Sequence, residues 1–197
     1  YGIKPNTGKN ITPLLGKLLK EIKSKTTDQE AVIIQFQKGK YNFHPEGALK
    51  REYYISNHDQ NNPKTVGIEI DHFKNITLDG NGADLMFHGR MLPLALIESS
   101  NVKVKNLSVD FEKPQITQVK VIANDTTAGS ITFETAAWVN YKIKDSTFYN
   151  LGEGWEMQPT SGIAFENKTK HILFNSGDIS VGTKSVSELS PGRIKAH

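Results

Sequence analysis

Apolar residues recur along this chain with two different periods. Between residues 12 and 24, Leu14, Leu15, Leu18, Leu19 and Ile22 share one face, with Lys17, Lys20 and Lys23 opposite. That spacing predicts an amphipathic helix. Thr12 offers a cap and Pro13 suits the first helical position. Beyond the helix the period falls to two. Ala31 to Phe36 is a strand candidate, Lys38-Gly39-Lys40 turns into Tyr41-Asn42-Phe43, and residues 68–78, 102–109 and 117–123 alternate. One helix followed by many short strands predicts a mainly β body with a helical cap.

The strands carry a faint repeat. Asn75-Ile76-Thr77-Leu78 resembles Asn101-Val102-Lys103-Val104 at an offset of 26 residues, and His171-Ile172-Leu173-Phe174 reads as a third copy. A chain coiling with such a period stacks the inward aliphatic residues of each turn on those of the next. Ile76, Leu78, Val102, Val104, Ile172 and Phe174 are the inward candidates. The expected fold is a right-handed parallel β-helix start, its first edge covered by an N-terminal capping helix. Asn, of which there are 15, suits the turns. The extra length between the second and third copies predicts a small inserted β-barrel or meander. This gives residues 1–115 as capping helix and first turns, 116–160 as the insertion, and 161–197 as the β-helix resumed. With about three turns and no closing cap, the whole reads as the front of a longer protein.

At roughly 100–200 residues per domain, 197 residues make one domain or one with a small insertion. Charge narrows the function more than length does. Residues 1–40 carry eight Lys against three acidic groups, and the rest carry 16 basic against 18 acidic. The basic excess is therefore one solvated helix face and argues against nucleic acid as a partner. The longest uncharged apolar run, Met91 to Ile97, holds seven residues, including Pro93. A membrane-spanning helix needs about 20. Absent cysteine removes disulfides, thiolate metal sites and a Cys nucleophile. The start at Tyr1 predicts a processed or trimmed chain.

Four segments resemble glycoside hydrolase family 110, the bacterial α-1,3-galactosidases that act on blood-group-B-type sugars. They are REYYISNHDQNNPKTVGI at 51–68, FHGRMLPLALI at 87–97, VDFEKPQITQV at 109–119 and GEGWEMQP at 152–159. GDISVG at 177–182 is a fainter match, whereas YGIKP and KGKYNF are similar to many β-helix sugar enzymes. The resemblance covers nearly the whole chain but only about the first third of a family member. It implies a parallel β-helix interrupted by small barrels, removal of a terminal galactose with inversion, no cofactor or metal, and a secreted or periplasmic enzyme. The partner it implies is a galactose-terminated oligosaccharide or glycoconjugate. Nothing in the sequence points to an oligomeric state.

Inverting hydrolysis uses two carboxyl groups about 6.5–9.5 Å apart, one acid and one base. Asp79, Asp110 and Asp178 stand near repeat ends, and Asp110, after the strand 102–109, is the most interesting. As turn residues their carboxylates would instead bond local amides. The catalytic pair is expected beyond His197, leaving Asp110 and Asp178 as weak candidates. Substrate contacts are expected at His88 and Arg90, where Gly89 between two polar residues lets backbone approach a ligand and Arg can pair with hydroxyls. Arg90 could equally tie one turn to the next. Trp155 can stack on a sugar face with Glu156 accepting its hydroxyls, or plug the inserted barrel; Trp138 reads as core. Arg51, Glu52 and the loop His58 to Asn62 could line the sugar face or solvate a turn. The six His show no zinc spacing, and neither G-x-G-x-x-G nor G-x-S-x-G occurs. Five N-x-S/T sequons, at Asn10, Asn75, Asn106, Asn124 and Asn167, read as incidental. Two other classes fit the same pattern. One is a polysaccharide lyase or polygalacturonase-like β-helix enzyme, the lyase holding Ca²⁺ on clustered carboxylates. The other is a non-catalytic carbohydrate-binding β-helix.

Overall fold

The computed structural model describes residues 1–54, 62–176 and 179–197. Among the described residues the chain is mainly β with one helix, and it divides into two compact units, Tyr1–Pro114 and Gln115–His197. No helix among the described residues is long and apolar enough to cross a membrane.

The first unit opens with α1 (Thr12–Lys25). Its entry is made by Asn10, whose Oδ1 accepts the backbone N–H groups of Thr12 (2.9 Å) and His44 (3.1 Å). Thr12, the expected cap, instead donates its hydroxyl to the His44 carbonyl at 3.0 Å. Ile11, Leu15 and Leu19 are buried along one face. Lys23 and Lys25 occupy the last turn, where cations suit the carbonyl end, and Thr26 closes it with both its N–H and its hydroxyl on the Ile22 carbonyl.

Seven strands follow: β1 (Val32–Gln35), β2 (Gly39–Phe43), β3 (Leu49–Arg51), β4 (Lys64–Asp71), β5 (Ile76–Phe87), β6 (Leu92–Ile97) and β7 (Lys103–Phe111). They form two sheets. In the first, β1 and β2 pair in parallel with successive halves of β5, and β7 pairs in parallel on β5's other side. In the second, β6 pairs in parallel with β4, and β3 adds an antiparallel edge. The 26-residue offset is the register of β4 with β6, where Val66 opposes Leu92, and of the first part of β5 with β7, where Thr77 opposes Lys103; past Asp79 the β5–β7 register shifts, so that Ala83 opposes Leu107.

The parallel pairing stacks like on like. Phe43, Phe87 and Phe111 are partners in a row, with the first two rings 4.6 Å apart and the next pair 6.0 Å apart. Ile76 and Leu78, expected inward, are buried with Ile68, Ile70 and Leu85. The corners between strands repeat too. His72 and Glu98, Asn75 and Asn101, and Asn81 and Asn106 are all left-handed, with φ between 43° and 58°. Short polar side chains tolerate this conformation best, which explains the Asn content of the turns. At Gly80 a Cβ would lie 2.4 Å from the Leu107 Cβ and 2.5 Å from the Asn106 carbonyl oxygen, so a side chain there would block the approach of β7.

The second unit is antiparallel. β8 (Val119–Asp125), β9 (Ser130–Thr135), β15 (Val186–Ser190) and β16 (Arg193–Ala196) form one sheet in the order β15-β16-β9-β8. β10 (Tyr141–Lys144), β11 (Thr147–Gly152) and β12 (Trp155–Met157) form another, and β13 (Ser161–Gly162) pairs with β14 (Ile179–Ser180). Phe133, Phe148, Val186, Ile194 and Ala196 make its core, with Tyr141 stacked on Phe148 at 5.2 Å.

This differs from the expected division in two ways. No closed barrel is found among the described residues of 116–160, whose five strands lie in two separate sheets. Residues 161–197 do not form a third parallel copy. Ile172 bridges Phe165 antiparallel, Phe174 is fully exposed, and β16 pairs antiparallel with β9. Among the described residues the four-residue likeness at 171–174 carries no parallel partner strand with it, and Val186, Ile194 and Ala196 are buried with Phe133 instead.

Candidate functional site

His88, Gly89 and Arg90 follow β5 directly. Alternation along β2, β5 and β7 puts Phe43, Phe87 and Phe111 inside and their flanking residues on the outer face. The rows on that face are Asn42, Met86 and Asp110, then His44, His88 and Glu112, the second row aligned by the N–H of His88 on the Phe43 carbonyl and that of Glu112 on the Phe87 carbonyl. The His44 and His88 rings stack at 3.9 Å with 6° between planes, and His88 Nε2 lies 3.1 Å from Asn42 Oδ1. Arg90 is exposed and makes no ion pair among the described residues. The structure therefore brings His88, Asp110 and Arg90 to one end of one sheet. Asp110 is exposed and accepts the Phe111 N–H at 2.8 Å, the local bonding expected of a turn carboxylate. Glu112 is held by Lys40 at 3.1 Å. Asp79 is committed to structure: Asn106 and the Asn81 N–H donate to it, Lys105 lies 3.3 Å away, and these hold its carboxyl below the usual range. Asp178 and residues 58–61 lie outside the described residues.

Trp155 and Glu156 belong to the other unit, at the start of β12. Glu153-Gly154 is a two-residue turn joining Gly152 to Trp155, and Gly154 takes the positive φ such hairpins favour. The indole lies flat against Gly152, where a Cβ would come within 2.1 Å of Cε2. Its Nε1 is buried with no acceptor among the described residues. Glu156 is paired with Lys142, whose ammonium stands 5.6 Å from the centre of the Tyr149 ring. Trp138, expected in the core, is 40% exposed, because the core positions of this unit are filled by Phe133 and Phe148.

The densest polar cluster is one that sequence reasoning only brushed. Arg51 on β3 donates through Nη1 to Glu69 Oε1 and Asp71 Oδ2, both at 2.9 Å, across the β3–β4 pair. Tyr53 donates its hydroxyl to Glu69. His72 lies between two carboxylates, with Nδ1 2.6 Å from Asp71 and Nε2 2.8 Å from Glu98, while Lys23 donates to its carbonyl. Burial pulls Asp71 upward, but hydrogen bonds from Arg51 and His72 outweigh it and hold the carboxyl below its usual range. His72 is raised, chiefly by its bond to Asp71 and the nearby charge of Glu98. Burial and Glu69 raise the Tyr53 phenol. A groove of about 660 Å³ runs alongside, lined by Lys17, Lys20 and Lys23 of α1 and by Glu69, Asp71 and Phe73. Two carboxylates at i and i+2 in the otherwise apolar strand Val66–Asp71 were the available signal. A half-buried carboxylate needs a cation, but Arg51 and Arg90 stand about equally far from the pair in sequence, so the sequence does not choose between them.

These groups can orient hydroxyls and fix charge, but five carboxyl groups are tuned toward ionisation. Asp28, Glu30, Asp71, Asp79 and Glu166 are all lowered, by Lys74, Thr27, Arg51, Asn106 and the Thr169 amide respectively. A general acid at neutral pH needs the opposite environment. Among the described residues, no group of three or more His, Asp or Glu is placed to hold a metal ion.

Residues 117–197 match a family model described as GLAA-B beta-barrel domain I. The whole chain is 52% identical over 197 residues to "Alpha-1,3-galactosidase B" of Phocaeicola vulgatus, covering 33% of that protein. It is 48% identical over 196 residues to the protein of the same name from Parabacteroides distasonis, covering 32% of it. With "Alpha-1,3-galactosidase A" of Bacteroides fragilis it shares 31% identity over 170 residues, 84% of this chain and 28% of the relative. The chain thus spans about a third of the length of the curated relatives it matches.

Proposed function

Because the chain belongs to the α-1,3-galactosidase family, we propose that it is the N-terminal segment of an inverting exo-α-1,3-galactosidase, which hydrolyses terminal α-1,3-linked galactose from glycans. The observation that carries this is identity near 50% over the full 197 residues to relatives of that name. A recurring 26-residue parallel register in two sheets supports reading residues 1–114 as the opening turns of a right-handed parallel β-helix. The match of 117–197 to a barrel-domain family supports reading the antiparallel unit as an inserted barrel domain.

In this reading the segment is scaffold and contributes to the sugar face, and the catalytic acid and base lie in the part of the relatives' length outside it. Asp71 and Asp79 are held below the usual carboxyl range, which disfavours them as the general acid. His88 and Arg90 of the first unit supply hydroxyl contacts; in the second unit, taken by itself, Trp155 with Glu156 offers a stacking edge and an acceptor. Water is the co-substrate, no cofactor takes part, and the enzyme works outside the cytoplasm.

The test is galactose release from an α-1,3-galactosyl trisaccharide. The 197-residue chain is compared with the same chain joined to the remaining two thirds of the Phocaeicola vulgatus relative. Release by the joined polypeptide alone is expected. Release by the 197 residues themselves would place the acid and base within them. Sugar binding by both without release would leave a binding module.

A further inference from the structure

The groove between α1 and β4 lies within the first unit, and its floor is apolar, made by the buried side chains of Leu19, Val66 and Phe73. One wall is α1. Lys17 and Lys20 stand exposed there, one helical turn apart, and neither has an ion-pair partner among the described residues. Lys23, next in the row, is engaged by Asp28 at 3.6 Å and by the His72 carbonyl. The facing wall holds Glu69 and Asp71, whose charges Arg51 and His72 already offset. The unmatched charge of the groove is therefore positive. Gly16 opens it further. This residue lines the groove from inside α1, and a Cβ on it would meet no atom within 4 Å apart from its chain neighbours and its own helix backbone. A glycine inside a helix costs stability relative to alanine, and no packing contact requires one here. What the missing side chain leaves is volume in the groove.

We infer that this groove is a second glycan site, one that takes an acidic sugar whose ring bears a carboxylate. The inference rests on the proposed reading of the protein as one that acts on glycans. An acidic sugar matches floor and walls together. Its carboxylate pairs with the ammonium groups of Lys17 and Lys20, and its C–H face lies on the apolar floor. Its hydroxyls donate to the lone pairs that Arg51 and His72 leave free on Glu69 and Asp71. A fatty acid offers no donors to the carboxylate wall. An acidic peptide sets further carboxylates and carbonyl oxygens against Glu69 and Asp71. The groove of about 660 Å³ is within the range of small-ligand sites. Such a site tethers the protein to acidic glycan chains and performs no cleavage.

The test is calorimetric titration of the joined polypeptide described above with 3′-sialyllactose, its methyl ester and lactose, none of which contains an α-linked galactose. Binding of the acid alone is expected, weakening as salt is raised. Lys17→Gln and Lys20→Gln together should weaken it about tenfold. Gly16→Leu fills the groove and is expected to abolish binding with the helical circular dichroism intact, since leucine is the better helix former, whereas Gly16→Ala retains it. Equal affinity for the acid and its methyl ester overturns the inference, as does no binding of the acid, or binding unchanged in a folded Gly16→Leu variant. Displacement of the acid by an α-1,3-galactosyl trisaccharide overturns it too, by placing both sugars in one site. Galactose release is read on the same samples. Groove binding without release sinks only the enzymatic reading, and release without groove binding sinks only the second site.

Discussion

The two units use the same alphabet of short strands and bury it differently. In residues 1–114 the described core is one cluster of sixteen buried residues reaching from Ile11 to Met91. In residues 115–197 the corresponding cluster has five, while Val121, Ile163, Phe165, Ile172 and Phe174 are exposed. The difference is one of pairing. Parallel strands put equivalent side chains in register, so every added strand extends the same column. Antiparallel hairpins return at once and bury a single face. A repeat therefore builds a core whose size grows with chain length, and a meander builds one that is closed early.

Substitution of the ring at the centre of each core is the hardest blow to this contrast. Phe87→Ala, which empties the middle of the Phe43–Phe87–Phe111 column, is expected to cost about 3–5 kcal/mol by chemical denaturation. Phe148→Ala in the smaller core should fall at or below the lower end of that range, about 3 kcal/mol. Equal costs would remove the distinction. Next comes Gly80→Ala, where the new methyl meets Leu107 and the Asn106 carbonyl. A loss of about 1–3 kcal/mol is expected, with hydrogen exchange in β7 quickening before that in β1. Uniform quickening would mean that β7 is not packed as a separate layer.

A smaller effect is expected at the helix entry. Asn10→Ala removes the acceptor shared by Thr12 and His44 and should cost about 1 kcal/mol, read as lower protection in the first turn of α1. The mildest is the pH response of His72. Its pKa is raised by Asp71 and Glu98, so the folded state binds the proton more tightly than the unfolded chain does. The stabilisation is complete below the ordinary imidazole value of about 6.5 and is lost as pH rises through the raised folded value. Asp71 acts with the opposite sign, its lowered pKa giving a contribution lost in acid. Stability of the first unit against pH should therefore decline on the alkaline side, and His72→Gln should flatten that decline. A decline that survives the substitution would assign it to another group.

Some of this was legible beforehand. The helix was written in Leu15, Leu19 and Ile22, and the 26-residue offset in Asn75-Ile76 and Asn101-Val102, because a register is a sequence property once strands are parallel. What sequence could not supply was partner choice. Ile172 and Phe174 carry the same alternation as Ile76 and Leu78, yet are exposed, since periodicity says which face a residue takes and not whether a strand arrives to cover it. Thr12 was the expected cap by type, but it is Asn10 Oδ1 that accepts the N–H groups of Thr12 and His44, a pairing that the distant chain crossing at His44 decides.

For this protein, then, local pattern determined the helix, the corners, the offset and the family likeness, all of which depend on residues near one another or on fixed spacing. Tertiary structure alone decided that Arg51, Glu69, Asp71, His72 and Glu98 form one ionic cluster, and that residues 186–196 return to β9 rather than extend the parallel stack. Both outcomes depend on which distant segment wins the competition for a sheet edge or a charge. That is settled by the apolar surface the competitors bury together, a quantity no single stretch of sequence contains.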